Sequence, residues 1–511
     1  MWWMLCGLWY RVRYCVTALG DLPRTVVGLS VPSRITLVVA VFLVAMTALG
    51  LGLQLWGVFE RQDSFHWNEI YLLAVLLLLV VTPVVVHTAA TLWMQEESSP
   101  HEDIEKAWKQ IVAELSSKRI DVAGTPLFLV VGTTDPGEGQ RLLSQAHFDF
   151  SVNAFPGTES VVHAWGDKDA VFLCVDDSAC RSSDAARRGT GRSPAEFDPN
   201  LTAYDSPYVV APAVGRAAVG ADLDSTAYID AGPRVAREPA PRSRQEREDL
   251  GDRLRYLCEL VRRQCQGNPA FGGVLALVPR CVVAGTHTVA WDYGKELGAD
   301  LVVMIETLGL RVPVTILVTG MEEERGFPEL VRRWPADRRG LRIGQGFHPG
   351  ATPKKDELTT IARRACGLVE GHAMESALRT EGSVEEPDNA ELISLVCRSR
   401  GVLTSGLGVV LCTAFDVCDE AGGPVPFLTG CYLCADGKAD SKKVEANEGT
   451  TAFVRAIFYK LWEAHEIVEW TPEAIDADER DERLARRLWL ATALCVAIVL
   501  GVVAWFARRG G

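Results

Sequence analysis

The sequence predicts an α/β protein, a mostly parallel sheet with helices around it, carried on three membrane-spanning helices. Three observations lead there. The apolar run Leu127 to Val131 passes directly into a glycine-rich turn and then into Arg141-Leu142-Leu143, which reads as a helix start. Further apolar strands alternate with helical periodicity along the chain, the pattern of a parallel sheet with helical crossovers. Three long apolar runs, at 35–59, 70–94 and 488–507, each reach the roughly 20 residues that a helix needs to span a bilayer.

The runs at 35–59 and 70–94 predict a hairpin within 35–94, behind an N-terminal segment at 1–34. Trp56, Trp67, Trp93, Trp489 and Trp505 stand near the ends of the runs, where interfacial aromatics anchor. Arg11, Arg13, Arg24 and Arg34 precede the first run, while the loop after it holds Arg61 among Glu60, Asp63 and Glu69. Arg480, Arg483, Arg486 and Arg487 precede the third run. Basic flanks mark the cytoplasmic side. The N-terminus and residues 95–486 are therefore expected in the cytoplasm, with the third span at 487–507. His87 has no acidic partner in the runs and reads as a helix-packing residue; Pro83 predicts a kink.

Within the cytoplasmic part, Ile104, Ala107, Trp108, Ile111, Val112 and Leu115 recur at helical spacing and lead into the Leu127 strand. Residues 170–175 are a second apolar strand ending in Asp176-Asp177. Residues 181–246 turn rich in Arg, Ala, Pro, Gly and Ser and predict a disordered insertion. It divides a domain into 95–180 and 247–345. Leu250, Leu254, Leu257 and Val261 mark a helix, 272–278 a strand, 289–308 a helix and 312–318 a strand. Residues 346–486 read as a mixed accessory region, with strands at 408–413 and 426–434 and a helix at 451–467.

The turn after the first strand carries the chemistry. Gly132-x-x-x-x-Gly137 has the spacing of a phosphate-binding P-loop, in which the next two residues are Lys, for the phosphates, and Ser or Thr, for Mg²⁺. Here they are Glu138 and Gly139. A carboxylate repels phosphate, and glycine offers no hydroxyl. Asp177-Ser178-Ala179-Cys180-Arg181 resembles the Asp-Thr-Ala-Gly-Arg that follows the second strand of a GTPase-like fold, with Cys180 in the glycine's place. Thr319-Gly320-Met321-Glu322 stands where that fold has a Thr-Lys-x-Asp base reader, with Gly320 for Lys and Glu322 for Asp. Four altered positions predict a retired nucleotide site without a cofactor, whose backbone amides at 132–139 could hold a simple anion. An atypical but active NTPase, using Arg141 or Lys168 as the cation, is the alternative.

Cys431-x-x-Cys434, with Cys412 and Cys418, has the residue types of a zinc site, but strand alternation would set Cys431 and Cys434 on opposite faces. No metal is expected. A net charge of −14 argues against a nucleic-acid partner.

Taken together, the two N-terminal spans, the altered loop, the Gly272-Gly273 strand, the segment from Val314 to Phe327 and Phe427-Leu428-Thr429-Gly430-Cys431-Tyr432-Leu433 resemble the IcmF/TssM family. The resemblance implies an inner-membrane component of a type VI secretion system with a GTPase-like cytoplasmic domain, a small DotU/TssL-like membrane partner and self-association. Gly157-Thr158 would match that family's Gly-Thr ahead of Trp165, adding Thr158 to the candidate site. Family members continue into a large periplasmic domain, whereas this sequence ends at Gly511, so a divergent, C-terminally short scaffold with a pseudo-GTPase domain is expected.

Overall fold

The computed structural model describes residues 100–146, 148–190, 243–265, 271–348, 353–378, 389–437 and 451–480, with short helical pieces at 81–89 and a few single positions near 36–43 and 482–487. The chain divides into two compact units, Asp103–Thr471 and a second made of Met1–Glu102 with Pro472–Gly511.

In the second unit the runs at 35–59, 70–94 and 488–507 lie almost wholly outside the described residues. Residues 81–89 are helical, and the Thr36 hydroxyl lies 3.4 Å from His87 Nδ1. His87 thus meets a residue at the start of the first run.

The first unit is built on an eight-stranded sheet of order β2-β3-β4-β1-β5-β7-β9-β8. Its strands are β1 (Leu127–Val131), β2 (Val152–Phe155), β3 (Val162–Gly166), β4 (Val171–Val175), β5 (Phe271–Pro279), β7 (Pro313–Thr319), β8 (Ile343–Gly346) and β9 (Phe427–Leu433); β6 (Leu310–Arg311) pairs separately with β10 (Glu469–Trp470). Strands β4, β1, β5, β7 and β9 run parallel. The outer strands β3, β2 and β8 are antiparallel to their inner neighbours. The five parallel strands are buried along their whole length. Helices cover both of their faces, so they read as unbroken apolar runs rather than alternating ones.

The helices are α1 (Glu102–Ser117), α2 (Glu138–Leu143), α3 (Arg181–Thr190), α4 (Arg244–Cys265), α5 (Arg280–Val283), α6 (His287–Leu308), α7 (Phe327–Arg333), α8 (Lys355–Leu378), α9 (Asn389–Arg398), α10 (Thr404–Glu420) and α11 (Arg455–Ala464). Helix α6 starts at Thr286, whose side chain accepts from Val289 N, and stops at Gly309 in the left-handed region. It packs against α3, α4 and α10, and α10 packs in turn on α8.

Three expectations change. Residues 408–413 lie inside α10, not in a strand. A short run of Gly, Val and Leu has no period that separates a buried strand from a buried helix. The helix is settled by packing, because Gly294 and Gly298 of α6 leave no room for a Cβ against the α10 backbone at Val410 and Ala414. Residues 181–190 form α3, and 244–246 already belong to α4, so the insertion expected at 181–246 is ordered at both ends; residues 191–242 lie outside the described set. Strand β9, from the stretch read as an accessory region, sits inside the main sheet between β7 and β8.

Lastly, α9 and α10 run on through one π turn at Ser399–Leu403. The resulting stretch, Asn389–Glu420, is the one described helix long and apolar enough to cross a membrane. Half of its most apolar window is buried inside this unit, which is how a core helix behaves.

Candidate functional site

Strand β1 is the topological switch of the sheet. From its end the chain turns outward to β2, β3 and β4, and it returns on the other side at β5. In open α/β sheets the crevice beyond the carboxyl ends of the strands at such a point is where ligands bind. A small cavity lies there, lined by residues at or just beyond the ends of four of the parallel strands: Thr134, Glu138 and Arg141 after β1, Arg280 after β5, Thr319 at the end of β7 with Gly320 after it, and Asp436 after β9.

The loop itself is built as the glycine frame requires. Gly132 has φ +85°, and a Cβ there would stand 2.1 Å from the Leu277 carbonyl oxygen and 2.5 Å from the Tyr293 hydroxyl. Only glycine fits. Four backbone amides of the turn are already in use. Gly132 N–H donates to Ser183 Oγ at 2.9 Å, Thr134 N–H to Glu138 Oε2 at 2.6 Å, and Gly137 N–H to Asp135 Oδ1 at 2.9 Å. Glu138 N–H donates to the Asp135 carbonyl at 3.1 Å.

Glu138 fills the turn itself. Its side chain turns back into the loop, 2% exposed, and accepts from both the amide and the hydroxyl of Thr134. The carboxylate stands where the loop would hold an anion. Burial and the neighbouring Asp436 charge push its pKa up, against the hydrogen bonds from Thr134 and Thr319 that favour the ionised form.

A second set of contacts shuts the crevice. Arg141 makes a two-pronged pair with Asp135, at 3.1 and 3.0 Å, and its Nε donates to Asp436 Oδ2 at 2.9 Å. Asp436 Oδ1 accepts Gly320 N–H at 3.1 Å, and Asp436 N–H donates to Glu322 at 3.2 Å. Glu322, expected as a base reader, thus fastens the segment after β9 to the turn after β7. What remains is a cavity of about 20 Å³, room for a single water. Nucleotide-sized ligands occupy pockets of roughly 300–1,000 Å³. Its walls carry Glu138, Glu323 and Asp436 against Arg141 and Arg280, so the charge does not favour phosphate either.

The metal-hydroxyl position is closed sterically. A Cβ on Gly139 would meet Cys174 Sγ at 2.8 Å and His163 Nε2 at 3.4 Å. His163 and Cys174 face each other across β3 and β4, both buried, and neither ring nitrogen of His163 has a partner among the described residues. Burial alone pushes that imidazole down to about 4. Burial, with the Glu138 charge second, pushes the Cys174 thiol up to about 12, which keeps it an unreactive thiol.

The remaining candidates are not brought together. Thr158 lies in the β2–β3 turn at the edge of the sheet and does not line the cavity. Asp177 is held by Arg187. Cys180, in the switch-glycine position, points into the core, where its Sγ lies 3.0 Å from Asp300 Oδ2. Asp300 is fully buried on α6 and accepts Ser182 N–H at 2.7 Å, so it caps the first turn of α3. Lys168 stands in the β3–β4 turn, at the opposite end of the sheet from the loop, and cannot replace the missing lysine. Cys412 is helical, while Cys431 and Cys434 are buried free thiols.

Sequence reasoning missed Asp436, Asp300, Arg280, Glu324 and His163. Only Asp436 left a readable signal, an acid followed by glycine just beyond an apolar strand. Glu324, with a fully buried side chain, pairs with Arg280 of the cavity wall at 2.8 Å and also with Arg398 of α9.

Residues 248–407 match the IcmF-related N-terminal domain. The match runs from α4 to the start of α10 and includes the turn after β7, but not the 132–139 loop. No curated protein and no solved structure matches the chain.

Proposed function

We propose, on the premise of an IcmF-related domain at residues 248–407, that this chain is a membrane-anchored scaffold of a type VI secretion-like envelope complex, and that its α/β domain is a pseudo-GTPase. The observation that carries the second half is the Glu138 carboxylate seated on the Thr134 amide, inside a loop whose cavity holds about one water. The five parallel strands, the switch point at β1 and the glycine-shaped turn after it support descent from a nucleotide-binding domain. The contacts that fill the crevice give the domain a packing role instead of a catalytic one. The apolar runs at 35–59, 70–94 and 488–507, with the Thr36–His87 contact, support an inner-membrane hairpin and a third span, with the α/β domain in the cytoplasm. The family resemblance adds a small DotU/TssL-like membrane protein as the partner.

The alternative, an NTPase with Arg141 as its cation, finds less support, because that guanidinium is committed to Asp135 and Asp436. Two measurements test the two halves of the proposal. Phosphate release from Mg²⁺-GTP or Mg²⁺-ATP by the detergent-solubilised chain stays at the protein-free rate; turnover that Thr134→Ala abolishes would overturn the pseudo-enzyme reading. Deleting the chain from its own cells lowers the secreted protein in the medium, and re-expression restores it; unchanged secretion would overturn the scaffold reading.

A further inference from the structure

A basic surface with apolar side chains in it lies where the turn before β8 meets the start of α11. The turn is closed by Leu341 N–H, which donates to the Arg338 carbonyl at 3.0 Å. Two bonds fasten α11 to it: Phe453 N–H donates to the Arg339 carbonyl at 2.7 Å, and Ala456 N–H to that of Gly340 at 3.0 Å. The Arg455 side chain lies along Gly340, where an added Cβ would stand 3.8 Å from Arg455 Cδ. Arg338, Arg342 and Arg455 are exposed. So are Leu341, at 52%, and Tyr459, one turn after Arg455, at 45%.

The carboxylates nearby are already matched. Asp337 lies 4.0 Å from Arg338, Glu463 lies 3.3 Å from Lys460, and Glu329 sits between Arg332 and Arg333. Arg342 and Arg455 make no ion pair among the described residues. An arginine surplus therefore remains on one surface of a chain whose net charge is −14. The surplus calls for an anionic occupant, and the apolar side chains among the arginines choose which. A bilayer surface takes up this mixture: arginines meet headgroup phosphates, a tyrosine sits at headgroup depth, and a leucine enters below it. The cytoplasmic leaflet is anionic. The domain begins at Asp103, nine residues past the apolar run that ends at 94, which is at most about 30 Å of extended chain, so a bilayer is within its reach. We propose that the surface of Arg338, Leu341, Arg342, Arg455 and Tyr459 docks on the anionic lipid headgroups of the membrane that anchors the chain. The inference rests on the membrane-anchored reading above. A tether alone leaves the domain free to tumble beside the bilayer, and this contact holds one side of it to the lipid.

The test uses the full chain reconstituted in nanodiscs, with Leu341 replaced by a small apolar fluorescent amino acid. The discs hold phosphatidylcholine alone or phosphatidylcholine with phosphatidylglycerol, and part of the phosphatidylcholine carries a nitroxide quencher on its headgroup. Quenching several-fold stronger in the anionic discs is expected. Raising the salt to about 1 M, where the Debye length falls to about 3 Å, returns it to the neutral-disc level. Arg338→Glu, Arg342→Glu and Arg455→Glu together remove the difference between the discs. Arg338→Lys, Arg342→Lys and Arg455→Lys together keep it, which separates lost charge from lost fold. Equal quenching in both discs would overturn the proposal, as would a difference that survives the glutamate substitutions or is lost with the lysine ones. A spectral shift on adding poly-glutamate, with none from anionic lipid, would also overturn it and point to an acidic protein instead. A chain that enters neither disc overturns the membrane-anchored reading and this proposal with it; a chain that enters both and shows no difference overturns this proposal alone.

Discussion

The Glu138 carboxylate lies 2.6 Å from the backbone nitrogen of Thr134 and 2.8 Å from its hydroxyl. One buried side chain thus places its carboxyl group inside the glycine-rich turn, against the turn's own amide and hydroxyl. The substitution reads in the sequence as a loss. In the structure it adds internal bonding, through the Thr134 amide and hydroxyl.

Glu138→Ala leaves the Thr134 amide without its acceptor in a buried loop. An unsatisfied buried donor costs about 1–3 kcal/mol, so denaturant unfolding should show a loss of that order. Glu138→Lys with Gly139→Thr restores the P-loop residue types but not the function, because the new Cβ at 139 meets Cys174 Sγ at 2.8 Å. Nucleotide binding is expected to stay absent in the double variant; its appearance there would show that the crevice opens readily.

His163 predicts acid sensitivity. Its folded pKa, about 4, lies below the unfolded value near 6.5. The stabilisation it contributes is therefore complete above about pH 6.5 and is lost as pH falls through 4, amounting to roughly 3 kcal/mol. Melting temperature followed against pH should fall over this window, and His163→Leu should flatten the slope. An identical slope in the variant would remove His163 as the cause.

Asp300 links α6 to the start of α3. Asp300→Ala uncaps Ser182 N–H and strips the Cys180 thiol of its acceptor. A loss of about 1–3 kcal/mol follows from the stranded donors, with Asp300→Asn milder because its amide oxygen can still accept. Hydrogen exchange should rise first at residues 181–184; protection unchanged there would contradict the capping role.

Much of this was legible in the sequence, and the exceptions share a cause. Strands β1, β4, β5, β7 and β9 show as apolar runs because both of their faces are buried. The 408–413 run looked the same and is helical, since what decides it is the fit of α10 against Gly294 and Gly298. The Arg- and Ser-rich stretch 181–190 carries little apolar signal and is held by Asp300, more than a hundred residues away. The glycine frame of the loop was legible for the same local reason that the turn needs it. Its closure was not, because the Arg141–Asp436 contact spans 295 residues of sequence.

Glu324 has a fully buried side chain that pairs with both Arg280 and Arg398. Glu324→Ala strands the Arg398 guanidinium, 21% exposed, and leaves that of Arg280, 12% exposed, with Glu323 at 4.0 Å. Breaking such a pair from one side costs about 3–5 kcal/mol. The variant should unfold at distinctly lower denaturant, whereas removing the exposed partner of the surface pair Lys355–Asp416 should change stability by less than about 1 kcal/mol. Equal effects would refute the ranking.

The central claim is that the loop at 132–139 is filled by its own side chains. Equilibrium titration of the full chain in detergent with labelled Mg²⁺-GTP and Mg²⁺-ATP tests it most directly. The account predicts no saturable binding of either nucleotide into the millimolar range. Micromolar affinity, lost on Gly137→Val, would contradict it and make the domain a working nucleotide switch.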